Sequence, residues 1–230
     1  MTLVSQQRAI LFADVTGSTA LYERLGDKPA AKAIEACLGQ VREAVQACGG
    51  RVVKNIGDEV MAVFANAAKA CEAARAMQNR VSVMPPVGGS KLHIRVGFHY
   101  GPALEEREDI WGDGVNVAAR LSGLAKAGQI YTSAATIHAL PQEARQMTRD
   151  LSALALKGKQ DEVQVFQVLW DDSEEEDATQ LSHPTPAAAT ATLTLSLAGA
   201  AIAFPDERGE LSIGRDKECD AVVAERTASR

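Results

Sequence analysis

The chain has 230 residues, enough for one domain of ordinary size and part of a second, because single hydrophobic cores usually span about 100–200 residues. Apolar residues make up 46% of it, yet no run approaches the roughly 20 consecutive apolar residues of a spanning helix, so a globular protein with no membrane partner is expected. The formal net charge is -6, and the acidic run from Asp171 to Asp177 carries that much by itself, which leaves the remainder balanced and gives no basic field for nucleic acid.

The first residues, MTLVSQQRAILFADV, contain no basic region followed by an apolar stretch and a small-residue cleavage site, so the expected location is the cytoplasm. Within them, Ala9-Ile10-Leu11-Phe12-Ala13 is a short apolar run. It reads as a buried strand that hands Asp14 to a loop, Thr16-Gly17-Ser18-Thr19, with a helix to follow. From Ala30 to Cys48 the residues Ile34, Cys37, Val41, Val45 and Cys48 recur every three or four positions, and Gly49-Gly50 ends the pattern, as in an amphipathic helix with a glycine terminus. Arg51 to Asn55 and Glu59 to Phe64 are β-compatible runs separated by Ile56-Gly57-Asp58, a hairpin signal that puts Asp58 at the turn. Ala67 to Val81 has helical spacing through Cys71, Ala74 and Met77 until Pro85-Pro86 breaks it, and Leu92 to Tyr100 reads as a strand. Val115 to Lys126 follows as a helix, Gln129 to Thr132 as a strand, and Thr148 to Leu156 with Val163 to Trp170 as a closing hairpin. The order β-α-β-β-α-β with additions predicts an α+β protein, a ferredoxin-like α/β sandwich with one sheet and its helices packed on one face. Three domain segments follow: residues 1–170 as the folded unit, 171–191 as an acidic, proline- and alanine-rich linker, and 192–230 as a β-rich tail.

Of the four cysteines, Cys37, Cys48 and Cys71 fall on apolar positions of predicted helices and Cys219 in the tail, with no CxxC spacing, so they read as small buried hydrophobes rather than ligands. His93, His99, His138 and His183 show no ligand spacing, and Trp111 reads as a packing residue.

Asp14 and Asp58 each stand where a predicted strand gives way to a turn. Pairing of the first strand with the hairpin would bring the carboxylates together, and two carboxylates plus substrate phosphates suffice for Mg²⁺; taken singly, each also fits a turn-stabilising role. In DIWGDGVNVAAR, Asn116 and Arg120 are four apart and share a helix face. An arginine there suits phosphate charge, although the pair by itself is equally compatible with a solvated face.

Taken in order, FADVTGST, VVKNIGDEVMAVF, RVGFHYG, DIWGDGVNVAARL and LKGKQDEVQVF, over about residues 8 to 170, resemble the catalytic domain of class III adenylyl and guanylyl cyclases. The resemblance implies a metal-dependent conversion of ATP to cyclic AMP and pyrophosphate with two Mg²⁺ or Mn²⁺ ions per site. By motif position it implies Asp14 and Asp58 as metal ligands with the Val15 backbone beside them, Asn116 and Arg120 as the transition-state pair, and Lys157 on the triphosphate. Lys54 and Asp109 match the purine-reading positions. A donor-only ammonium and an acceptor-only carboxylate complement the ring nitrogen and amino group of adenine, whereas guanine reverses that order, so ATP is favoured over GTP. The family's metal and base residues come from opposite subunits, which implies a two-fold homodimer with two complete sites and an inactive monomer. Two departures stand out: Gln129 occupies a position where some relatives carry a phosphate-directed arginine, and the segment between Gly101 and Asp109 is short and acidic (Glu105, Glu106, Glu108) where many carry a longer dimer-clasping arm.

In the tail, Glu210 to Arg215, Cys219 to Val223 and Ser229-Arg230 resemble the first part of a forkhead-associated domain, which implies Arg215 and Ser229 as contacts to a phosphothreonine protein partner. About 40 residues are too few to close such a sandwich. Three rival readings stand beside the enzyme: a cyclase-like binding module with little turnover, a phosphopeptide-binding signalling protein, and a dinucleotide cyclase, whose GGDEF-type signature is missing.

Overall fold

The structure is a computed structural model that describes residues 5–106, 109–151, 163–171, 194–197, 200–203, 213–214 and 221–222. The chain divides into two compact units, Met1–Gln180 and Leu181–Arg230. In the first, β1 (Ser5–Thr16) leads through α1 (Ser18–Leu25) and α2 (Asp27–Ala47) to the hairpin β2 (Arg51–Ile56) and β3 (Glu59–Phe64), and α3 (Ala67–Ser82) returns the chain to β4 (His93–Glu106). Then come β5 (Asp109–Trp111), α4 (Asp113–Leu124), β6 (Ile130–Ser133), α5 (Ala134–Ala139), α6 (Gln142–Gln146), β7 (Thr148–Asp150) and β8 (Val165–Val168). The sheet order is β2-β3-β1-β4-β6-β8-β7, with β5 paired to β4 alone. β3 separates β1 from β2, and β1 separates β3 from β4, so the first four strands form two interleaved split βαβ units, as the ferredoxin-like reading requires. β4 and β6 run parallel, which makes the whole sheet mixed.

The expectation that all helices share one face is corrected. β1 is apolar on both sides: Ala9, Leu11, Ala13 and Val15 join the core formed with α2 and α3, whereas Ile10 and Phe12 join Met61, Val63, Ala103, Ile110 and Ala118 of α4 in a separate cluster. The short continuous apolar run is thus the signature of a strand covered on both faces. α2 and α3 bury the residues that their spacing predicted, including Cys37, Cys71, Met77 and Val81, and Cys37, Cys48 and Cys71 are free, buried thiols. Burial pushes the Cys37 and Cys71 thiols up to about 11, so they stay protonated and inert.

α4 lies close on β4. A Cβ on Gly97 would stand 2.0 Å from the Ser122 backbone nitrogen, so only a residue without a side chain lets the helix reach the sheet. Other boundaries also differ from expectation. β1 runs through Asp14 to Thr16 because both neighbours keep pairing with it, and β4 continues to Glu106, where it turns into β5. α5 and α6 were not anticipated, and the far part of the closing hairpin lies outside the described residues. Among the described residues no helix is long and apolar enough to cross a membrane. In the second unit, β9 (Thr194–Leu197) pairs antiparallel with β10 (Ala200–Ala203), and β11 (Ile213–Gly214) pairs in parallel with β12 (Ala221–Val222).

Candidate functional site

Two of the cavities on the first unit hold residues singled out in the sequence, and these two share no lining residue. The first, about 350 Å³, is lined by Asp14, Val15, the loop Thr16–Thr19, Asp58 and Arg95. Asp14 sits directly across the ladder from Glu59 on β3 and from Arg95 on β4, so the three side chains leave the sheet on one face. The Val15 amide donates to the Asp58 carbonyl at 3.2 Å, which ties the β2–β3 turn to the end of β1. Gly57, at φ 65°, supplies the left-handed residue that this tight turn needs. Asp14 and Asp58 therefore line one cavity, with Asp14 inside a strand rather than in the loop expected for it.

Charge in this cavity is unbalanced toward carboxylates. Burial holds the Asp14 carboxyl above its ordinary range, opposed by the hydrogen bond and charge of Arg95. Arg95 Nε donates to Asp14 Oδ2 at 2.7 Å. Glu59 is pushed up to about 7, first by burial and then by repulsion from Asp14, an effect that Arg95 offsets in part. Arg95 balances only part of this charge, which leaves the hard-oxygen donors suited to a further cation. Among the described residues no set of three or more His, Cys, Asp or Glu side chains is gathered for a metal; Asp14 and Asp58, which line one cavity, could hold Mg²⁺ or Mn²⁺ with nearby backbone oxygen, the remaining positions falling to water or phosphate. Beside it α1 begins at Gly17, φ 79°, with no side-chain cap, which leaves the first amides of the helix open to an anion.

The second cavity, about 450 Å³, is lined by Phe12, Lys54, Ile56, Met61 and, from the β5–α4 segment, Ile110, Trp111, Gly112, Val115 and Asn116. Lys54 Nζ donates to both oxygens of Asp109, at 2.8 and 3.0 Å. Asp109 Oδ1 also accepts from the Ile110 amide at 2.9 Å, and these bonds, the lysine's first, hold its carboxyl below the ordinary range. Lys54 pairs with Met61 beyond an irregularity in β2 between Val52 and Lys54. Asn116 is exposed and Arg120 half-buried on α4, and neither makes a side-chain hydrogen bond or ion pair with another described residue. Their helix is anchored through Ala118 in the apolar cluster below.

Three features escaped the sequence reading. Trp111 is 45% exposed and lines the second cavity instead of filling a core. Arg95 puts a cation among the carboxylates of the first. Gln129, weighed as the replacement for a phosphate-directed arginine, accepts from the Lys126 amide at 2.9 Å through its side-chain oxygen and so closes the turn before β6. Lys157, Arg215 and Ser229 lie outside the described residues.

The model of the adenylate and guanylate cyclase catalytic domain matches residues 4–169. An adenylate cyclase of Glutamicibacter nicotianae is 30% identical over 154 residues, which is 66% of this chain and 36% of the relative. An uncharacterized protein of Mycobacterium tuberculosis is 34% identical over 192 residues, 81% of this chain and 47% of that one. The chain thus spans between a third and a half of these two curated relatives. Among solved structures, the catalytic core of a rhodopsin-guanylyl cyclase with converted specificity, in complex with ATPαS, superposes with a TM-score of 0.67 at 23% identity, over 74% of this chain and 98% of the other, and so shares its fold.

Proposed function

Since the chain belongs to the adenylate and guanylate cyclase catalytic-domain family, we propose that it is an adenylate cyclase, forming 3',5'-cyclic AMP and pyrophosphate from ATP in sites completed across a homodimer. The observation that carries this reading is the ion pair of Lys54 with Asp109, in which Lys54 lines the cavity that also holds Asn116 and Trp111. Adenine presents an acceptor ring nitrogen beside a donor amino group, which an ammonium and a carboxylate match in that order. The exposed Ile56 and Trp111 offer the ring its apolar walls.

In the reaction, the ribose 3'-oxygen forms a bond to the α-phosphorus while the bond from that phosphorus to the bridging oxygen of the β-phosphate breaks, and the hydroxyl proton passes to solvent. Asp14 and Asp58 would hold divalent metal, which supplies Lewis-acid activation of the hydroxyl and neutralises phosphate charge. The open amides at the start of α1 and the guanidinium of Arg95 receive phosphate oxygens. Asn116 orients the ribose. Arg120, without a partner of its own among the described residues, meets the charge that develops on the α-phosphoryl oxygens, and Lys157 is assigned to the leaving pyrophosphate. Because the metal cavity and the base cavity are separate in one chain, a two-fold arrangement that sets one protomer's first cavity against its partner's second completes both sites.

The test is incubation of the purified chain with ATP or GTP and Mg²⁺ or Mn²⁺, beside Asp14→Ala, with cyclic nucleotides quantified. Cyclic AMP from ATP that disappears in Asp14→Ala is the expected result. No cyclic nucleotide under any condition would replace the enzyme with a nucleotide-binding module.

A further inference from the structure

β4 and β5 form a hairpin that folds onto the sheet face occupied by α4, and its inner side carries two anchors. Ile110, 1% exposed, enters the cluster of Ile10, Phe12, Met61 and Val63. Glu105, directly opposite Ile110 in the ladder and therefore on the same side, reaches two strands at once. Its Oε2 accepts from Arg8 Nε of β1 at 3.2 Å, and its Oε1 accepts from an Arg51 guanidinium nitrogen of β2 at 2.6 Å. The Glu105 carboxylate, with only 26% of its side chain exposed, is held below its ordinary range by these two arginines against the cost of its burial.

Both members of the base-reading pair depend on this junction. Asp109 opens β5, where it pairs with Glu106, the residue after Glu105. Lys54 belongs to β2, three residues after Arg51. The positive charge of Arg51 also bears on Asp109. We propose that Glu105 is a specificity-determining positioning residue: by clamping the β4–β5 hairpin to Arg8 and Arg51, it fixes the Lys54–Asp109 pair in the register that selects adenine. This rests on the reading of Lys54 and Asp109 as the purine-recognition pair. With a neutral residue at 105 the hairpin loses its polar anchor, and Arg51 is drawn toward Asp109, the neighbouring carboxylate, in competition with Lys54. The purine then meets a displaced acceptor and a misplaced donor. Among the described residues, neither Glu105 nor Arg8 bonds Asp14, Asp58 or Arg120, so the loss falls on base discrimination rather than on the chemical step.

The isosteric Glu105→Gln variant and Arg8→Gln, which opens the same clamp from β1 without altering the hairpin, are compared with the unaltered chain in two assays. In a Trp170→Phe background, which leaves Trp111 as the single tryptophan, acrylamide quenching reports the anchoring of β5 without any nucleotide. The ratio of ATP to GTP in kcat/KM, or in displacement of a fluorescent ATP analogue in Ca²⁺, reports selectivity. Expected for both variants are a rise of about twofold in quenching and a fall of about tenfold in the ATP preference, through KM for ATP with kcat at saturation kept, a partial loss because the pair is displaced rather than removed. Unchanged quenching in both variants overturns the clamp whatever the nucleotide result. Increased quenching with an unchanged ratio overturns the specificity role. An unaltered chain that shows no preference for ATP overturns the base-reading assignment, and the role of Glu105 in selectivity with it, while the quenching result still reports whether the clamp exists.

Discussion

Two inactive variants should restore each other when mixed, and the amount restored follows from symmetry. Asp14→Asn removes the carboxylate proposed to hold metal in the first cavity, and Arg120→Ala removes the α4 cation proposed to meet the transition state. If each site takes its carboxylates from one protomer and its α4 side chains from the other, every homodimer of either variant has two dead sites. A mixed dimer has one site that combines both lesions and one that combines neither. Equal amounts with free subunit exchange give half mixed dimers, each with one of its two sites intact, so activity should return to about a quarter of that of the unaltered protein. The assay is cyclic AMP formation at saturating ATP and Mg²⁺, after the two variants have been mixed, diluted and reconcentrated. Size-exclusion chromatography of differently tagged copies verifies exchange. With exchange demonstrated, activity that stays at background refutes the division of labour between protomers and would require one chain to close its own site.

Three further outcomes rest on packing, titration and the metal set. Gly97→Ala places a Cβ against the backbone of Ser122 and Leu121, at 2.0 and 2.6 Å, where no side-chain rotation gives relief. Urea unfolding should show a loss of about 3 kcal/mol, at the upper end of overpacking costs, and kcat should fall as α4 lifts with Asn116 and Arg120; an unchanged midpoint would contradict the close approach. The Glu59 carboxyl, raised to about 7, favours its proton in the folded state, so its contribution to metal-free stability is full below its unfolded value and is lost as pH rises through about 7. In chelator, Glu59→Gln should match the unaltered chain at pH 4, below the unfolded value, and exceed it at pH 8 by on the order of 2 kcal/mol, after allowance for partial exposure. Equal melting curves at pH 8 would place the excess negative charge elsewhere. Mg²⁺ should stabilise the unaltered chain more at pH 8 than at pH 5, since proton and metal relieve the same repulsion, a difference that thermal melts of Asp58→Asn should not show.

The helices on one side were legible because α2 and α3 face a single core, so an apolar residue at every third or fourth position says all that is needed. α4 was legible as a helix but not as one on the opposite face, since periodicity identifies an apolar stripe and not the surface it meets. The pattern predicts β4 only as far as Tyr100, because Gly101-Pro102 resembles a break. In the fold, Pro102 lies between the stretch of β4 that pairs β6 and the stretch that pairs β5, so no ladder bond on that side needs its missing amide. The candidate site residues and their neighbours divide in the same way. Asp14, Asp58, Lys54 and Asp109 stand at ends of runs or in motifs and could be named in advance. Arg95, Glu105 and Trp111 acquire their places from cross-strand partners, and a pairing register is a property of two strands that neither displays alone.

That dependence on register explains why the chemistry stays where it is. On β1 the alternation Ile10, Phe12, Asp14 sends two apolar side chains and one carboxylate to the α4 face, while Ala9, Leu11, Ala13 and Val15 supply the opposite core. A slip of one residue would turn Asp14 into the α2–α3 core, strand its charge away from Arg95, and expose the alternate set to α4. The apolar residues on either side of β1 therefore fix the direction of the Asp14 carboxylate through the register of the strand. The same logic runs through the β4–β5 hairpin, where Ile110 seats the strand and Asp109 takes its position from that seat. If Lys54 and Asp109 read the base as proposed, substitutions at the pair can change base preference with the apolar floor unchanged, because the floor sets where the pair stands.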